Sequence, residues 1–346
     1  MTTRRDTLKL LGGSAALALS GGLARAQAPA QPTEDWDKVI AAAKKEGRLT
    51  MYSGAPGRPE HRDIAKLYEK KYGIRVDVLD GPGSEIQARI QSEVSSGHVN
   101  GDVSHIGGTT QVLMQSLGQL APHGYLPNEK KLVIEPKVPE EVPIFVNSYG
   151  ILVNTDMVPA DQQPTSWLDL LDPKWKGKIL MYPGWFSGSG LTWFGVMEDA
   201  FGEQYHEKMA RQEPVFGQAV RENPRRVARG EYPIYVPFTI TDIGALEGLP
   251  IKAIVPKEGV AYTPFSVAII KGAQHPNAAR LMLNFFLEPE AQLVYAHNGF
   301  GLAVGGLEDQ VPEKWKWAVN AKLLGRQKLE GQEERMQRAR KIYTGK

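Results

Sequence analysis

A short run of serines and glycines near the middle of the chain has residue types that can do chemistry. It reads Ser187-Gly-Ser-Gly190, and a helix-like run over residues 191–200 follows it directly. A serine hydroxyl becomes a nucleophile when a neighbouring base activates it. Hydroxyls and free N–H groups at the start of a helix can instead hold an anion. A third interpretation is that Ser187 or Ser189 simply caps the helix.

The spacing around these serines does not match the common catalytic and nucleotide-binding motifs. A nucleophile elbow has glycine two residues before and two after the serine. Ser187 instead has Trp185 and Ser189 there, and Ser189 has Ser187 and Leu191. A dinucleotide fingerprint would need a third glycine where Trp193 stands, and a phosphate-binding loop would need a lysine. The anion-binding and capping interpretations both remain open.

The N-terminus has the pattern of an export signal. Arg4-Arg5 precede a moderately apolar run over residues 10–23, and Ala24-Arg-Ala26 puts small residues where a signal peptidase reads them. The paired arginines resemble a twin-arginine leader. The apolar run is short and contains glycine, which makes it a poor membrane span. We expect residues 1–26 to be a signal peptide, cleaved after Ala26 to release a soluble protein into the periplasm.

Composition narrows the function classes. The whole chain has 41 Lys+Arg and 39 Asp+Glu, and removing the leader's four basic residues and one acid leaves 37 against 38. The basic balance of the whole chain therefore owes much to the leader and does not indicate nucleic-acid binding. The absence of cysteine excludes disulfides, thiolate metal sites, a cysteine nucleophile and a lipoprotein anchor. The remaining length is enough for two core-forming lobes.

The elements that would position the serine-glycine run follow a regular pattern. In the first third, helices are expected over residues 36–47, 61–72 and 84–94, and strands over 49–53, 74–78 and 102–106. This alternation is the βαβ signature of a parallel sheet. Extended runs over 144–153 and 266–270 enclose a second α/β unit, with strands at 178–182, 234–236 and 252–255. After residue 270 we expect only helices, ending in a charged, solvated helix over 331–342.

Several of these segments, taken in order, resemble one family. Ala43-Lys-Lys-Glu-Gly-Arg-Leu-Thr-Met-Tyr-Ser-Gly54, Gly83-Ser-Glu-Ile-Gln-Ala-Arg-Ile90, Gly101-Asp-Val-Ser-His-Ile106, Gly150-Ile-Leu-Val-Asn-Thr155 and His275-Pro-Asn-Ala-Ala-Arg280 are similar to segments of periplasmic solute-binding proteins of the ferric-iron-binding family. The likeness extends over nearly the whole chain after the leader. Each motif is weak alone, but their order and spacing together are specific.

The resemblance implies an α/β fold of the two-lobe, type II periplasmic binding class. Two crossover strands join the lobes, and the ligand is clamped in the cleft between them. The natural crossovers are the extended runs at 144–153 and 265–270. The expected division is then residues 27–148 plus 267–346 for lobe 1 and 149–266 for lobe 2.

Small polar residues follow several predicted strands, where the ligand of such a fold is expected. The candidate ligand-binding residues are Ser53, Gly54, Ser84, Gly107, Gly108, Thr109, Ser187, Gly188, Ser189, Gly190, Phe238 and Thr239. Candidate counter-charges for an anion are Arg58 and either Arg225 or Arg226. Hydroxyls and helix N-termini solvate carboxylates and phosphates well.

The sequence departs from the ferric family where that family carries adjacent tyrosines. Gly230-Glu231 leads into the predicted strand, and the pair should fall near Thr239 to Thr241, where no tyrosine stands. Tyr232 and Tyr235 are separated by two residues, and the seven histidines show no ligand spacing. Direct binding of Fe(III) is therefore not expected.

These observations predict a receptor that is not an enzyme and needs no cofactor or metal. It would capture a small organic anion (a carboxylate, a phosphonate or a phosphorylated metabolite) and deliver it to the inner-membrane permease of an ABC importer. We expect a monomer. Two alternatives remain: a ferric-iron or iron-chelate binder of the same family, and an exported serine hydrolase that uses Ser187 or Ser189.

Overall fold

The computed structural model describes residues 35–326, 328 and 330–345. The predicted signal peptide and its cleavage site at Ala26 lie outside the described residues. Among the described residues, no helix has the length and apolar character to cross a membrane.

The first part of the chain alternates helices and strands, as the pattern predicts. The elements are α1 (Trp36–Glu46), β1 (Arg48–Ser53), α2 (Glu60–Tyr72), β2 (Arg75–Asp80), α3 (Gly83–Ser96), β3 (Val103–Gly107), α4 (Gly108–Ser116), β4 (Leu120–Ala121) and β5 (Glu141–Asn154). Strand β1 pairs in parallel with β2 and β3, so the carboxyl ends of these three strands meet at one edge. The loops after β1 and β3 therefore start from the same side of the sheet.

The remainder supplies the second half of the sheet and further helices, of which α8 and α9 pack on the first half. The elements are β6 (Ile179–Met181), α5 (Ser189–Phe201), α6 (Glu203–Ala210), β7 (Val215–Phe216), α7 (Asn223–Ala228), β8 (Ile234–Thr239), β9 (Ile251–Ile254), β10 (Val260–Ile270), α8 (Pro276–Phe286), α9 (Pro289–Ala296), β11 (Gly301–Leu302), α10 (Glu313–Val319), β12 (Leu323–Arg326) and α11 (Gln332–Thr344). Short 3-10 segments lie at Glu129–Lys131, Ala160–Gln162, Leu168–Leu171, Pro173–Trp175, Ile240–Leu246 and Glu308–Gln310.

Two long strands at the centre join the two halves. The main strand order is β2-β1-β3-β10-β5-β8-β6-β7. Strand β10 is antiparallel to β3 on one side and to β5 on the other, with Phe265 opposite Phe145. The far end of β5 pairs with β8, where Tyr149 is opposite Thr239. The predicted crossovers lie within β5 and β10. Strand β10 adjoins β3 of the first half of the sheet, and β5 adjoins β8 of the second half.

Each half has its own apolar core, as a two-lobe protein needs. One core packs α1, α2, α8 and α9 on the first half, around Leu49, Tyr68 and Phe285. A second core surrounds Trp167 and Trp193 in the other half. These side chains are fully buried. Burial of side chains this large contributes most of the stability of such a core.

The C-terminal region corrects two sequence-based expectations. It is not purely helical, because β11 pairs with β5 and β12 pairs with β10. Strands of two and four residues are too short to produce a readable alternation. Helix α11, which was assigned with lobe 1, packs instead against α5 and α6 of the second half. Arg338 Nε donates to Glu198 Oε1 at 2.7 Å, and Tyr343 Oη lies 2.8 Å from His206 Nδ1.

Candidate ligand-binding site

A cleft of about 640 Å³ lies beside the carboxyl ends of β6 and β8. Its walls come from both halves of the fold and from the central strand β5. The lining residues are Pro56, Gly57, Arg58, Pro59, Glu60, Asn147, Tyr149, Tyr182, Ser187, Gly188, Ser189, Val220, Arg221, Pro224, Arg225, Thr239, Asp242, Ala245 and Leu246. The volume is that of a small-molecule site.

The start of helix α5 presents hydrogen-bond donors to this cleft. Gly188 is the N-cap and Ser189 is the first helical residue, with no side-chain cap. Among the described residues, the backbone N–H groups of Ser189 and Gly190 have no acceptor, and neither do the hydroxyls of Ser187 and Ser189. The capping interpretation of these serines is therefore wrong for the structure, and Ser187 and Ser189 line a cavity.

Close packing fixes the position of this helix start. A Cβ atom on Gly190 would lie 2.1 Å from the carbonyl oxygen of Pro183. Only glycine allows the first turn of α5 to approach the end of β6 so closely. Gly188 has φ 99°, a conformation that favours glycine. Gly190 itself supports the site and does not line it.

Three arginines give the cleft a positive lining. Arg58 comes from the loop after β1, Arg221 comes from the turn before α7, and Arg225 comes from the first turn of α7. Neither Arg221 nor Arg225 has a carboxylate within ion-pair distance among the described residues. Arg226, the alternative from sequence, points elsewhere, because its Nε donates to Glu231 Oε2 at 2.8 Å.

Asp242 brings one negative charge into this basic lining. It lies in the 3-10 segment Ile240–Leu246, and its Oδ1 is 3.5 Å from Arg58 Nη2. Burial raises the pKa of the carboxyl, and the charges of Arg58 and Arg221 oppose that rise. Arg58 also lies over the ring of Phe300, with its Cζ 4.9 Å from the centroid. The ion pair joins the two halves of the protein across the cleft.

The tyrosines of the cleft are neutral phenols. The Tyr149 hydroxyl donates to Thr263 Oγ1 at 3.0 Å, and burial raises its pKa to about 12. Burial also raises the pKa of Tyr182. Thr239, which lies near the position where the resemblance placed the tyrosine pair, lines the cleft. Within the described part of the chain, no three His, Cys, Asp or Glu side chains come together as metal ligands would.

Ser53 and Gly54, the candidates that follow β1, do not line the cleft themselves, and the segment next to them does. Ser53 is fully buried, and its Oγ lies 3.1 Å from His105 Nδ1. A Cβ on Gly54 would be 2.6 Å from Ile106 Cγ1, so this glycine is required for packing. The next residues, 56–60, supply the actual wall.

The other predicted residues lie outside the cleft lining. Ser84 is exposed in the first turn of α3, and Phe238 lies on β8 with its side chain fully buried. Gly107, Gly108 and Thr109 begin helix α4 without contributing to this cavity. Of the predicted set, Ser187, Gly188, Ser189 and Thr239 come together here, and Arg58 and Arg225 join them.

Sequence reasoning missed several lining residues. Arg221 lies four residues before Arg225 but precedes α7, which begins at Asn223, so no helical spacing marked it in the sequence. Asn147 and Tyr149 lie inside a strand buried along nearly its whole length, and only the pairing register brings them beside Thr239. Asp242 had no local signal, because it follows the strand in a 3-10 segment.

Comparison with known proteins identifies the family. Residues 122–331 match the family described as bacterial extracellular solute-binding protein. A Haemophilus influenzae protein described as uncharacterized is 26% identical over 284 residues, covering 77% of this chain and 80% of its own. Ferric iron-binding protein A of Mannheimia haemolytica, in an open conformation, is 16% identical with a TM-score of 0.70 and covers 86% of this chain and 97% of its own.

A second similar structure contains a phosphorylated sugar. AfuA of Actinobacillus pleuropneumoniae, with fructose-6-phosphate bound, is 22% identical with a TM-score of 0.56, covering 87% of this chain and 97% of its own. Structural likeness at this level of identity establishes the fold. Because the family match spans more than half of the sequence, the chain belongs to the bacterial extracellular solute-binding proteins and has their two-lobe, type II periplasmic binding fold.

Proposed function

We propose that this solute-binding protein captures a small organic anion in the periplasm and delivers it to the inner-membrane permease of an ABC importer. The ligand would carry a carboxylate, a phosphonate or a phosphate ester. Export through the leader, with cleavage after Ala26, belongs to the same proposal, as does a monomeric state.

The observation that carries the proposal is the convergence of free donors in one cleft. The open start of α5 offers N–H groups and two serine hydroxyls, and Arg221 and Arg225 have no ion-pair partner in the described part of the protein. A helix N-terminus carries partial positive charge, and guanidinium groups match the oxygens of carboxylate and phosphate. An oxyanion is the kind of ligand group that such donors recognise.

The chemistry of the cleft supports an anion over a bare ferric ion. Fe(III) favours hard, negatively charged oxygen donors. The two tyrosines of the lining have raised pKa values, and one already donates to Thr263. The similar protein from Mannheimia is a ferric iron-binding protein, whereas AfuA has a phosphorylated sugar bound. The present donor set is closer to what an oxyanion needs.

A serine hydrolase at this site lacks a base. A serine without a neighbouring base is a weak nucleophile. His206 is hydrogen-bonded to the carbonyl of Phe194 and to Tyr343, and His105 to Ser53. No histidine in the described residues contacts Ser187 or Ser189. A fluorophosphonate probe that labelled either serine would overturn the receptor proposal.

Ligand capture is proposed to close the lobes by motion at the crossover strands. Hinge closure around a ligand is common in periplasmic binding proteins. The division at residues 27–148 plus 267–346 and 149–266 remains our proposal, except that α11 packs with the second half. Small-angle scattering should give a smaller radius of gyration with ligand than without it.

The test begins with the ligand that the protein retains. Native mass spectrometry of freshly purified protein should reveal a co-purified anion, and elemental analysis should find no stoichiometric iron. Replacing both Arg221 and Arg225 with alanine should then weaken binding of that anion by at least about tenfold, because each arginine can make a charge-assisted hydrogen bond.

The matched control removes a similar charge outside the cleft. Arg211→Ala changes an exposed arginine in the same half of the protein, and it should leave affinity unchanged. Equal affinity in the double variant and the control, or stoichiometric iron with a tyrosinate absorption band, would contradict the proposed function.

A further inference from the structure

Asp242 has unused acceptor capacity inside the cleft. Its carboxylate lies 3.5 Å from Arg58 but accepts no hydrogen bond from any described residue. An ionised carboxylate can accept at about four lone-pair positions. Its side chain is only 35% exposed, so water reaches it incompletely and a ligand would cover it further.

Arg58 does not fully neutralise this carboxylate. Its guanidinium lies over the ring of Phe300, with Cζ 4.9 Å from the centroid. A cation over an aromatic face is held by the quadrupole of the ring. Arg58 is therefore positioned independently of Asp242, and the 3.5 Å separation leaves the carboxylate without a direct donor.

A second acceptor in the same cleft is also unsatisfied. Asn147 lies on β5 and lines the cleft, and its Oδ1 is buried without a hydrogen-bond partner. Buried polar atoms in native proteins are normally paired. The cleft therefore contains donors in excess at the start of α5 and acceptors in excess at Asp242 and Asn147.

We propose that Asp242 is a specificity-determining residue, which selects anions that also carry a hydrogen-bond donor, a hydroxyl or an ammonium group, over anions that carry none. This inference rests on the proposed function, because it assigns the second polar group of the same ligand. The anionic end binds at α5, Arg221 and Arg225, and the donor group binds Asp242.

The selection has an attractive and a repulsive part. A ligand hydroxyl or ammonium group donates to the carboxylate and fills its empty acceptor positions. An anion with an apolar tail brings negative charge toward Asp242 and donates no hydrogen bond to it. Discrimination is often achieved by such an unpaired or repelling group placed against the wrong ligand. Ala245 and Leu246 line the cleft nearby and accommodate the carbon skeleton.

The test compares matched anions by calorimetry. One series is n-propyl phosphate, glycerol 3-phosphate and 3-aminopropyl phosphate, and the other is butanoate, 3,4-dihydroxybutanoate and 4-aminobutanoate. In the wild-type protein, at least one donor-bearing member of a series should bind about tenfold or more tightly than the plain member, as expected for a hydrogen bond to a charged group.

Variants then assign the preference to Asp242. Asp242→Ala should bring the ratio of affinities close to one, partly because the plain anion binds more tightly when the negative charge is gone. Asp242→Asn keeps an acceptor but no charge, so it should retain a hydroxyl preference and lose an ammonium preference. Asp161→Ala removes an exposed carboxylate of the same half outside the cleft, and it should leave the ratio unchanged.

The possible failures are distinct. If anions bind but the wild type shows no donor preference, or if Asp242→Ala keeps that preference, the role of Asp242 is refuted while the anion receptor stands. If no member of either series binds and no anion co-purifies, the proposed function itself fails.

Discussion

Replacing Ser189 with alanine separates a ligand contact from a structural role of the hydroxyl. Ser189 is the first residue of α5, lines the cleft and is only 8% exposed. The N-cap position belongs to Gly188, and no side chain caps the helix. The substitution therefore removes a hydroxyl that has no hydrogen-bond partner among the described residues, and it disrupts no cap.

The expected magnitudes follow from that geometry. If the hydroxyl donates to a charged ligand, its loss should weaken binding by about 1.5–3 kcal/mol, which is roughly a 10- to 150-fold rise in Kd. Stability should change by less than about 0.5 kcal/mol, as for substitutions that break no packing or cap. A lost N-cap would instead lower stability by about 0.5–2 kcal/mol.

Both quantities are measured on the same protein. Calorimetry with the anion identified by native mass spectrometry gives Kd, and urea denaturation of ligand-free protein gives the free energy of unfolding. Ser116→Ala is the control, because its exposed hydroxyl donates only to the carbonyl of Leu113 in α4. An unchanged Kd for Ser189→Ala would refute the contact, and a stability loss near 1 kcal/mol would restore the capping role.

Two further predictions concern the scaffold around the site. Gly190→Ala should lower stability by roughly 1–3 kcal/mol and also weaken ligand binding, because its Cβ would meet the Pro183 oxygen at 2.1 Å. Gly195→Ala is the control in the same helix, where the Cβ would meet only Arg335 at 3.5 Å, and urea denaturation compares the two. Burial lowers the pKa of His206 to about 3. As the pH falls, His206 is protonated in the unfolded chain before it is protonated in the folded protein. The free energy of unfolding should therefore fall by about 2 kcal/mol between pH 7 and pH 5. In urea denaturation, His206→Gln should reduce the dependence of the unfolding free energy on pH. An equal pH dependence in both proteins would contradict the role given to His206.

The parts of the fold that could be predicted are those with a long repeating pattern. Helices α1, α2 and α3 and strand β1 are close to their predicted bounds, because each buries one regular face or ends at a turn residue. The two-residue strands β4, β7 and β11 could not be predicted, because they are defined by their pairing partners and not by their own residues. Helix α11 was expected on the surface, yet Ala339 is fully buried against the second half.

The candidate site divides in the same way. The serine-glycine run at residues 187–190 was readable because small residues open a helix there. The prediction placed the wall after β1 at Ser53 and Gly54, and the residues that line the cleft, 56–60, follow only a few positions later. Asp242 and Asn147 could not be predicted, because their distinguishing feature is an unfilled hydrogen-bond acceptor, and hydrogen-bond partners can only be counted in three dimensions.

The two halves of the protein contribute unlike chemistry to the cleft, and this bears on how closure could be coupled to ligand identity. The second half holds the free donors at α5 and Arg221 and Arg225, whereas the first half contributes the segment 56–60, with Arg58 held over Phe300. An anion could bind the second half alone, whereas a ligand donor placed at Asp242 also comes close to Arg58 of the first half, which lies 3.5 Å from that carboxylate. A ligand stabilises the closed form by its difference in affinity for the two conformations. Discrimination at Asp242 would therefore act on closure as well as on affinity, because this carboxylate lies where the two halves meet.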